Sequence, residues 1–407
     1  MNNKADSDLV RRQNRHLLLE ALRFHGPAPR VELGRLTSLS PATITSITTQ
    51  LMNESYLREA ETLGATAKSD AARRGRPTVA LELDPAAAFV LALKISIDRF
   101  EMALADYAGT ILARHTEKPS TYAMDRLAAA PLAAKHVLAF LAANGIAPNQ
   151  IRKLGIAVQG AAGSQSGHLA WSPAFIARDI PLVQPITELT GIACSLANDA
   201  NMIAEGLMAR EHYQYKGNAA VVFMGYGVGM GLVIDGKAYH GATGAAAEFG
   251  HMNHVPGGAL CRCGKAGCLE AYASDYGILR AAENLSPQTP PPSHAVDADV
   301  MRSLESAARR GDARAKAAYD IAGSAIGYGL ARLIALLNPD RIVISGPGTA
   351  AFDLMLEAMH QAIEDGVVAE LRQNITIETI PIDHDMIITG TIQALLHELD
   401  RDVFAGA

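Results

Sequence analysis

Long apolar runs are missing from this 407-residue chain. Nowhere does an uninterrupted stretch approach the ~20 residues that a membrane-spanning helix needs, so no membrane partner is expected. Cysteine is scarce, four in all, and three of them, Cys261, Cys263 and Cys268, fall within eight residues, a clustering that argues for metal rather than disulfides. The start, MNNKADSDLVRRQNRHLLLEAL, is polar and then amphipathic, without the compact apolar region and small-residue cleavage site of a secretory signal; a cytoplasmic location is expected. Charged residues are few at 19%, against 49% apolar, so core-forming material is ample and a disordered chain is excluded. This length suits two or three domains.

The net charge of −6 is unevenly spread. Residues 1–80 hold 12 Lys and Arg against 8 Asp and Glu, a balance of +4, while the remainder holds 24 against 34, a balance of −10. A basic end on an acidic protein suits phosphate-backbone binding by one domain, although a solvated basic face would show the same charge.

From Leu9 to Phe24 apolar residues recur at helical spacing, with Leu17, Leu18, Leu19, Ala21 and Leu22 forming one broad face. Gly26, Pro27 and Pro29 stop this helix. A short second helix over Arg30 to Leu36 carries Val31, Leu33 and Leu36. Ser40 then suits an N-cap and Pro41 a first helical position, and Ile44, Ile47 and Leu51 stripe a third helix. Its other face is small and polar: Ala42, Thr45, Ser46, Thr49 and Asn53, with Thr43 at the edge. Such a face fits the major groove, and the order of elements predicts a helix-turn-helix, with a plain three-helix bundle as the alternative. Tyr56 to Glu59 and Thr78 to Leu83 read as two strands of a wing, whose Arg73-Arg74-Gly75-Arg76-Pro77 tip could lay Arg74 and Arg76 into a minor groove.

Beyond Phe89, β-like runs at Val90 to Ile95, Leu154 to Val158, Ala219 to Met224 and Arg341 to Ile344 alternate with helical stretches, an α/β pattern consistent with two lobes. Gly225, Gly227, Gly229 and Gly231 alternate in one segment, a backbone able to approach phosphate or another chain closely. The sharpest local signal is Glu248-Phe249-Gly250-His251 followed by Cys261-Arg262-Cys263-Gly264-Lys265-Ala266-Gly267-Cys268-Leu269-Glu270. Three thiolates and an imidazole satisfy tetrahedral zinc with no position left for water, so a structural zinc site is expected; a redox cluster or buried thiols are the alternatives.

At these residues the chain resembles the ROK family of repressors, open reading frames and kinases. The resemblance runs from Arg11-Arg12-Gln13-Asn14 through Gly75-Arg76-Pro77 to the helix near Gln393. It implies an N-terminal winged helix-turn-helix followed by an α/β, actin-like, sugar-kinase-like domain of two lobes. The implied division is 1–83 for the winged helix, 84–200 plus about 386–407 for the first lobe, and 201–385 for the second. Zinc ligands would be His251, Cys261, Cys263 and Cys268, with His254 in reserve. The sugar would be held by Asn198, Asp199, Glu248, His251 and Glu270; hydroxyls are well gripped by carboxylates and an amide. Asn198-Asp199 also reads as a cap for a helix from Ala200 to Met208.

Two departures qualify the resemblance. Family kinases carry an Asp-x-Gly-Gly-Thr-like turn where ATP phosphates and magnesium sit; here Lys94-Ile95-Ser96-Ile97-Asp98-Arg99 stands. Lys94 replaces a carboxylate, Ile97 stands where glycine is expected, Asp98 replaces a phosphate-binding hydroxyl, and Tyr226 occupies the second glycine loop. Phosphoryl transfer depends on positioning and neutralising phosphates, so no catalysis is expected and Asp199 is left as a vestigial base. Ser172-Pro173-Ala174-Phe175 also departs from the family's Pro-Asn, so one hydroxyl contact is missing. The reading is a sugar-sensing transcriptional repressor that binds an operator in double-stranded DNA through Thr43, Thr45, Ser46, Thr49, Arg74 and Arg76, as a homodimer or dimer of dimers. An active sugar kinase with an accessory DNA-binding domain is the chief alternative, and a sensor binding a phosphotransfer protein through its zinc region is a third.

Overall fold

The computed structural model describes residues 3–60, 79–164, 166–210, 216–373, 375–380 and 386–402. Its first part comprises α1 (Asn3–His25), β1 (Ala28–Pro29), α2 (Arg30–Thr37), α3 (Pro41–Asn53), β2 (Leu57–Glu59) and β3 (Ala80–Leu83). The strands form an antiparallel sheet in the order β1-β3-β2. Ser40 caps α3 as expected, its Oγ accepting from the Thr43 amide at 3.2 Å, with Pro41 in the first turn. Ile44, Ile47 and Leu51 are buried, with Thr48 beside them.

Two apolar expectations fail here. Leu17 is exposed, and Val31 is 80% exposed. Each lies off the narrow stripe that faces the core, because α1 buries only the arc of Leu18, Leu19, Ala21 and Leu22, and the eight-residue α2 buries Leu33 alone. The tip from Arg73 to Pro77, with Arg74 and Arg76, lies outside the described residues.

The larger part contains two five-stranded sheets. The first, in the order β11-β7-β4-β5-β6, uses β4 (Phe89–Ser96), β5 (Arg99–Asp106), β6 (Ile111–Glu117), β7 (Ile151–Val158) and β11 (Cys194–Asn198). Between them come α4 (Ala129–Ala143), a small sheet of β8 (Ala161–Gly163), β9 (His168–Trp171) and β10 (Ile180–Pro181), and α5 (Val183–Thr190). The second sheet follows α6 (Asp199–Arg210) and runs β14-β13-β12-β15-β16, from β12 (Ala219–Met224), β13 (Val228–Ile234), β14 (Lys237–Tyr239), β15 (Arg341–Ser345) and β16 (Thr376–Thr379). Its helices are α7 (Glu270–Ala273), α8 (Asp275–Ala282), α9 (Ala298–Arg309), α10 (Ala313–Leu337) and α11 (Phe352–Gly366); α12 (Met386–Asp402) returns to the first sheet.

Strand β4 is buried on both faces. Leu91, Leu93 and Ile95 meet α4 and α5, while Val90 and Ala92 join a core with Ile388, Ile392, Leu395 and Leu396 of α12. Helices α6 and α12 pack closely: a Cβ on Gly390 would lie 1.8 Å from the Met202 carbonyl oxygen, and one on Gly206 would lie 2.4 Å from that of Met386. Among the described residues one helix, α10, is long and apolar enough to cross a membrane, but more than half of its apolar window is buried within the protein. Asp312 caps it and Asn338 ends it in a left-handed conformation.

Candidate functional site

A cleft of about 540 Å³, open to solvent, lies where the carboxyl end of β11 meets α6 and the second sheet. It gathers all five expected sugar-site residues, Asn198, Asp199, Glu248, His251 and Glu270. Their side chains are not equally free. Asn198 is committed to local structure: Oδ1 accepts from the Ala200 amide at 2.7 Å, capping α6, and Nδ2 donates to the Gly160 carbonyl at 2.6 Å. Glu270 is likewise held, Oε2 accepting from the Val228 amide at 3.1 Å and Oε1 from the Tyr276 hydroxyl at 3.2 Å. Gly227 leaves room for that carboxylate, since a Cβ there would sit 2.8 Å from Oε2.

Asp199 begins α6, and burial pushes its carboxyl up to about 7 against the opposing pull of the Lys94 ammonium. Burial also raises Glu248, opposed by His251. These two acids are the groups best placed to bind hydroxyls. The expectations omitted Gln159, whose buried Oε1 has no hydrogen-bond partner among the described residues, and Trp171, whose ring meets His251 edge to face at 5.1 Å; both line the cleft. Gln159 follows the end of β7, where open α/β sheets place ligand contacts, and that was the available signal.

Beneath the cleft, one ligand atom from each of His251, Cys261, Cys263 and Cys268 lies within 4.8 Å of the others. His251 Nδ1 stands 3.7 Å from Cys261 Sγ, and Cys263 Sγ stands 3.7 Å from Cys268 Sγ. Tetrahedral bonds of ~2.3 Å to sulfur give edges of ~3.8 Å, so the spacing fits one ion. The other ring nitrogen of His251 faces Glu248 Oε2 at 3.8 Å, linking the group to the cleft. Gly264 and Gly267 take φ of +89° and +93° to turn the loop, and a Cβ on Gly267 would lie 1.9 Å from the Val255 carbonyl oxygen. His254 is not the reserve imidazole: its ring packs against Tyr272 and Tyr328, outside the four-residue group.

The alternating glycines serve packing more than an open loop. Only Gly225 and Gly227 belong to the turn; Gly229 and Gly231 lie in β13, and a Cβ on Gly231 would sit 2.5 Å from the Ala200 carbonyl oxygen of α6. At the end of β4, Lys94 pairs with Glu101 at 2.6 Å, Ile97 is buried, and Asp98 takes φ of +53° in the turn. On α3, Thr45, Ser46 and Thr49 are exposed. The Thr45 hydroxyl donates back to the Pro41 carbonyl, and the Thr43 hydroxyl meets Ser40 Oγ at 2.8 Å.

Comparison with known proteins extends this picture. The chain is 26% identical to the DNA-binding transcriptional repressor Mlc of Escherichia coli K12 over 395 residues, covering 94% of this chain and 93% of that protein. It is 24% identical to the dual regulator NagC of the same organism, over 93% of this chain and 91% of NagC. A crystal structure of a ROK family transcriptional regulator, a homologue of E. coli Mlc, superposes with a TM-score of 0.78 at 22% identity, covering 97% of this chain and 98% of that one. A ROK glucokinase from Streptomyces griseus with glucose and AMPPNP matches over 75% of this chain and 99% of its own, at 23% identity and a TM-score of 0.59, so the larger part has the actin-like sugar-kinase fold. The ROK family model matches residues 90–393, and the chain belongs to the ROK family.

Proposed function

We propose that this protein is a DNA-binding transcriptional repressor whose ROK domain senses a sugar. The observation that carries the reading is the joining of two features in one chain. A capped third helix presents small polar side chains to solvent, and a cleft with Asp199, Glu248 and His251 lies beyond it. Repressor relatives match across both parts. Residues 1–83 act as a winged helix-turn-helix, 84–200 with about 386–407 as the first lobe, and 201–385 as the second. Sugar binding alters lobe or subunit geometry, and hence the spacing of paired recognition helices on two half-sites. Four soft donors with no water position favour structural zinc, which ties His251 to the cleft and supplies folding energy to the loop.

The Lys94–Glu101 pair and buried Ile97, where family kinases need a small phosphate-binding turn, support a sensor without catalysis. An active kinase is the second reading, favoured by 37% identity to a glucokinase of Halalkalibacterium halodurans over 193 residues, 46% of this chain and 58% of that enzyme. Selection of DNA fragments by the purified protein, with and without monosaccharides, tests the first reading; failure to enrich any sequence overturns it. Sugar-dependent ADP release abolished by Asp199→Asn would establish the second.

A further inference from the structure

A cavity of about 760 Å³ opens between α8, α9 and α10 and shares no lining residue with the sugar cleft. Its polar groups are short of partners. Asp275, the first residue of α8, is 7% exposed, and its carboxylate makes no hydrogen bond or ion pair with the described residues. Tyr319 on α10 is fully buried, and its hydroxyl likewise has no hydrogen-bond partner among them. Glu305 on α9 meets only Arg309 there, at 3.8 Å. All three line the cavity.

The neighbouring cations are committed elsewhere. Arg262 donates to the Tyr226 and His294 carbonyls at 2.6 and 3.2 Å. Arg309 grips Asp353 at 2.7 and 3.2 Å, and Arg302, which also lines the cavity, pairs with Asp299. Burial, reinforced by the Glu305 carboxylate, raises Asp275 to about 6 against the pull of Arg262, and burial raises Glu305 as well. Two acids and a phenol thus face one space, and the side chains around it neutralise their charge only in part. Ile278, Met301 and Met355 add apolar wall. Among the described residues only the group of His251 and the three cysteines gathers donors closely enough for a metal ion, and the cavity has the size of an organic ligand.

We infer that this cavity binds an organic amine, its ammonium held by Asp275, Glu305 and the Tyr319 hydroxyl and its apolar body packed against Ile278, Met301 and Met355. An ammonium brings three donors and no acceptor, matching three oxygens that can all accept. Its charge offsets the cost of two acids withdrawn from water, and hydrogen bonds between ionised groups are the strong ones. The site stands apart from the sugar-sensing reading, since no residue of the sugar cleft takes part in it.

The test is isothermal calorimetry on the full chain with phenethylamine, hexylamine and spermidine, each alkyl or aryl amine matched by its neutral alcohol. Wild type should bind at least one amine saturably, with Kd of about 1 mM or tighter, and prefer it to the alcohol by about tenfold or more. Asp275→Asn and Glu305→Gln should each weaken the amine about tenfold or more and leave the alcohol unchanged, and Tyr319→Phe should weaken it about 2- to 10-fold. Asp275→Asn removes a buried carboxylate that has no hydrogen-bond partner, so its Tm should not fall; if it does, Glu305→Gln, with its partly accessible side chain, carries the test. The inference is overturned if wild type binds none of the three amines, if the alcohols bind as tightly, or if both carboxylate variants bind the amine like wild type. Magnesium AMPPNP binding more tightly than every amine, and losing that affinity in the same variants, would overturn it in favour of a nucleotide pocket.

Discussion

The cysteine loop from Cys261 to Cys268 and the N-terminal unit are built on opposite principles. In the loop, four donors converge through short-range turns: the Cys261 amide donates to the Lys265 carbonyl at 2.9 Å, and the Gly264 amide to the Cys261 carbonyl at 3.0 Å. In the N-terminal unit the decisive contacts span the chain. Leu18, Leu22 and Leu33 share one core with Val90, Ala92 and the α12 residues Ile392 and Leu396. Buried Arg23 grips both carboxylate oxygens of Asp400 at 2.9 and 3.0 Å and donates to the Tyr107 carbonyl, while the Tyr107 hydroxyl donates to Asp400 at 2.6 Å. A locally closed loop whose four donors hold an ion should depend on that ion; a docked unit should depend on burial and on one shared polar network.

The largest effect is therefore expected at the loop. Cys263→Ser should lose about one equivalent of metal per chain and, with it, a large part of the ~10–16 kcal/mol that structural zinc contributes to such sites. Metal analysis and thermal unfolding check this; a folded variant with full metal content and an unchanged Tm removes the comparison's first half.

The second half predicts a smaller but substantial loss. Asp400→Ala should cost about 3–5 kcal/mol in chemical denaturation, because it takes the carboxylate away from a buried guanidinium and from the Tyr107 hydroxyl. Arg23→Met combined with Asp400→Leu should cost clearly less than the single change, since neither charge is then stranded. Equal losses would show that Arg23 is satisfied independently of Asp400.

That contrast also explains what could be read in advance. The Cys261 to Cys268 spacing encodes convergence directly, because thiols on a short glycine-containing loop have few ways to point. The capped start of α3 is equally local. The Arg23–Asp400 pair joins residues 377 positions apart, beyond the reach of periodicity or motif. Leu17 and Val31 defeat a reading by periodicity because a helix of apolar residues does not announce which arc its neighbours will cover. In the cleft, family motifs located Asp199 and Glu248, but neither Gln159, whose Oε1 has no partner among the described residues, nor Trp171, set edge to face against His251, belongs to one. Nor could a motif reveal that Asn198 and Glu270 are already occupied by backbone donors and a carbonyl acceptor.

Within the cleft, replacement of Glu248 by Gln or Gln159 by Ala should weaken effector binding by ~1–3 kcal/mol, roughly 5- to 150-fold in titration. Glu270→Ala is a poorer probe, because it also strands the Val228 amide and Tyr276 hydroxyl. Asp199 adds a pH signature. Its folded-state value lies near 7, above the ordinary 3.8, so the native state binds a proton more tightly between those values. Its contribution favours folding at low pH and is lost as pH rises to about 7, at no more than about 1.4 kcal/mol per pH unit. Thermal unfolding of wild type and Asp199→Asn from pH 5 to 8 should show the variant gaining relative stability as pH rises; a constant difference would refute the shift.

The smallest effects are expected at the exposed face of α3, where the comparison is sharpest because these side chains hold nothing together. Ser46 and Thr49 face solvent, so Ser46→Ala and Thr49→Ala should leave folding within about 0.5 kcal/mol of wild type. If they touch base edges, each should weaken operator binding by ~1–3 kcal/mol and relax preference at one or two base pairs. Thr45→Ala should do less through its hydroxyl, which already donates to the Pro41 carbonyl and leaves mainly a methyl for contact with thymine. Replacing Arg74 and Arg76 by Ala should act differently, weakening operator and scrambled DNA together and lowering the salt slope by about one unit for each phosphate no longer neutralised. Titrations on both DNAs at several salt concentrations separate these outcomes. A double arginine variant with the wild-type affinity and slope would end the case for a wing, and a Ser46→Ala, Thr49→Ala protein that keeps full operator preference would make α3 a helix of the docked bundle alone.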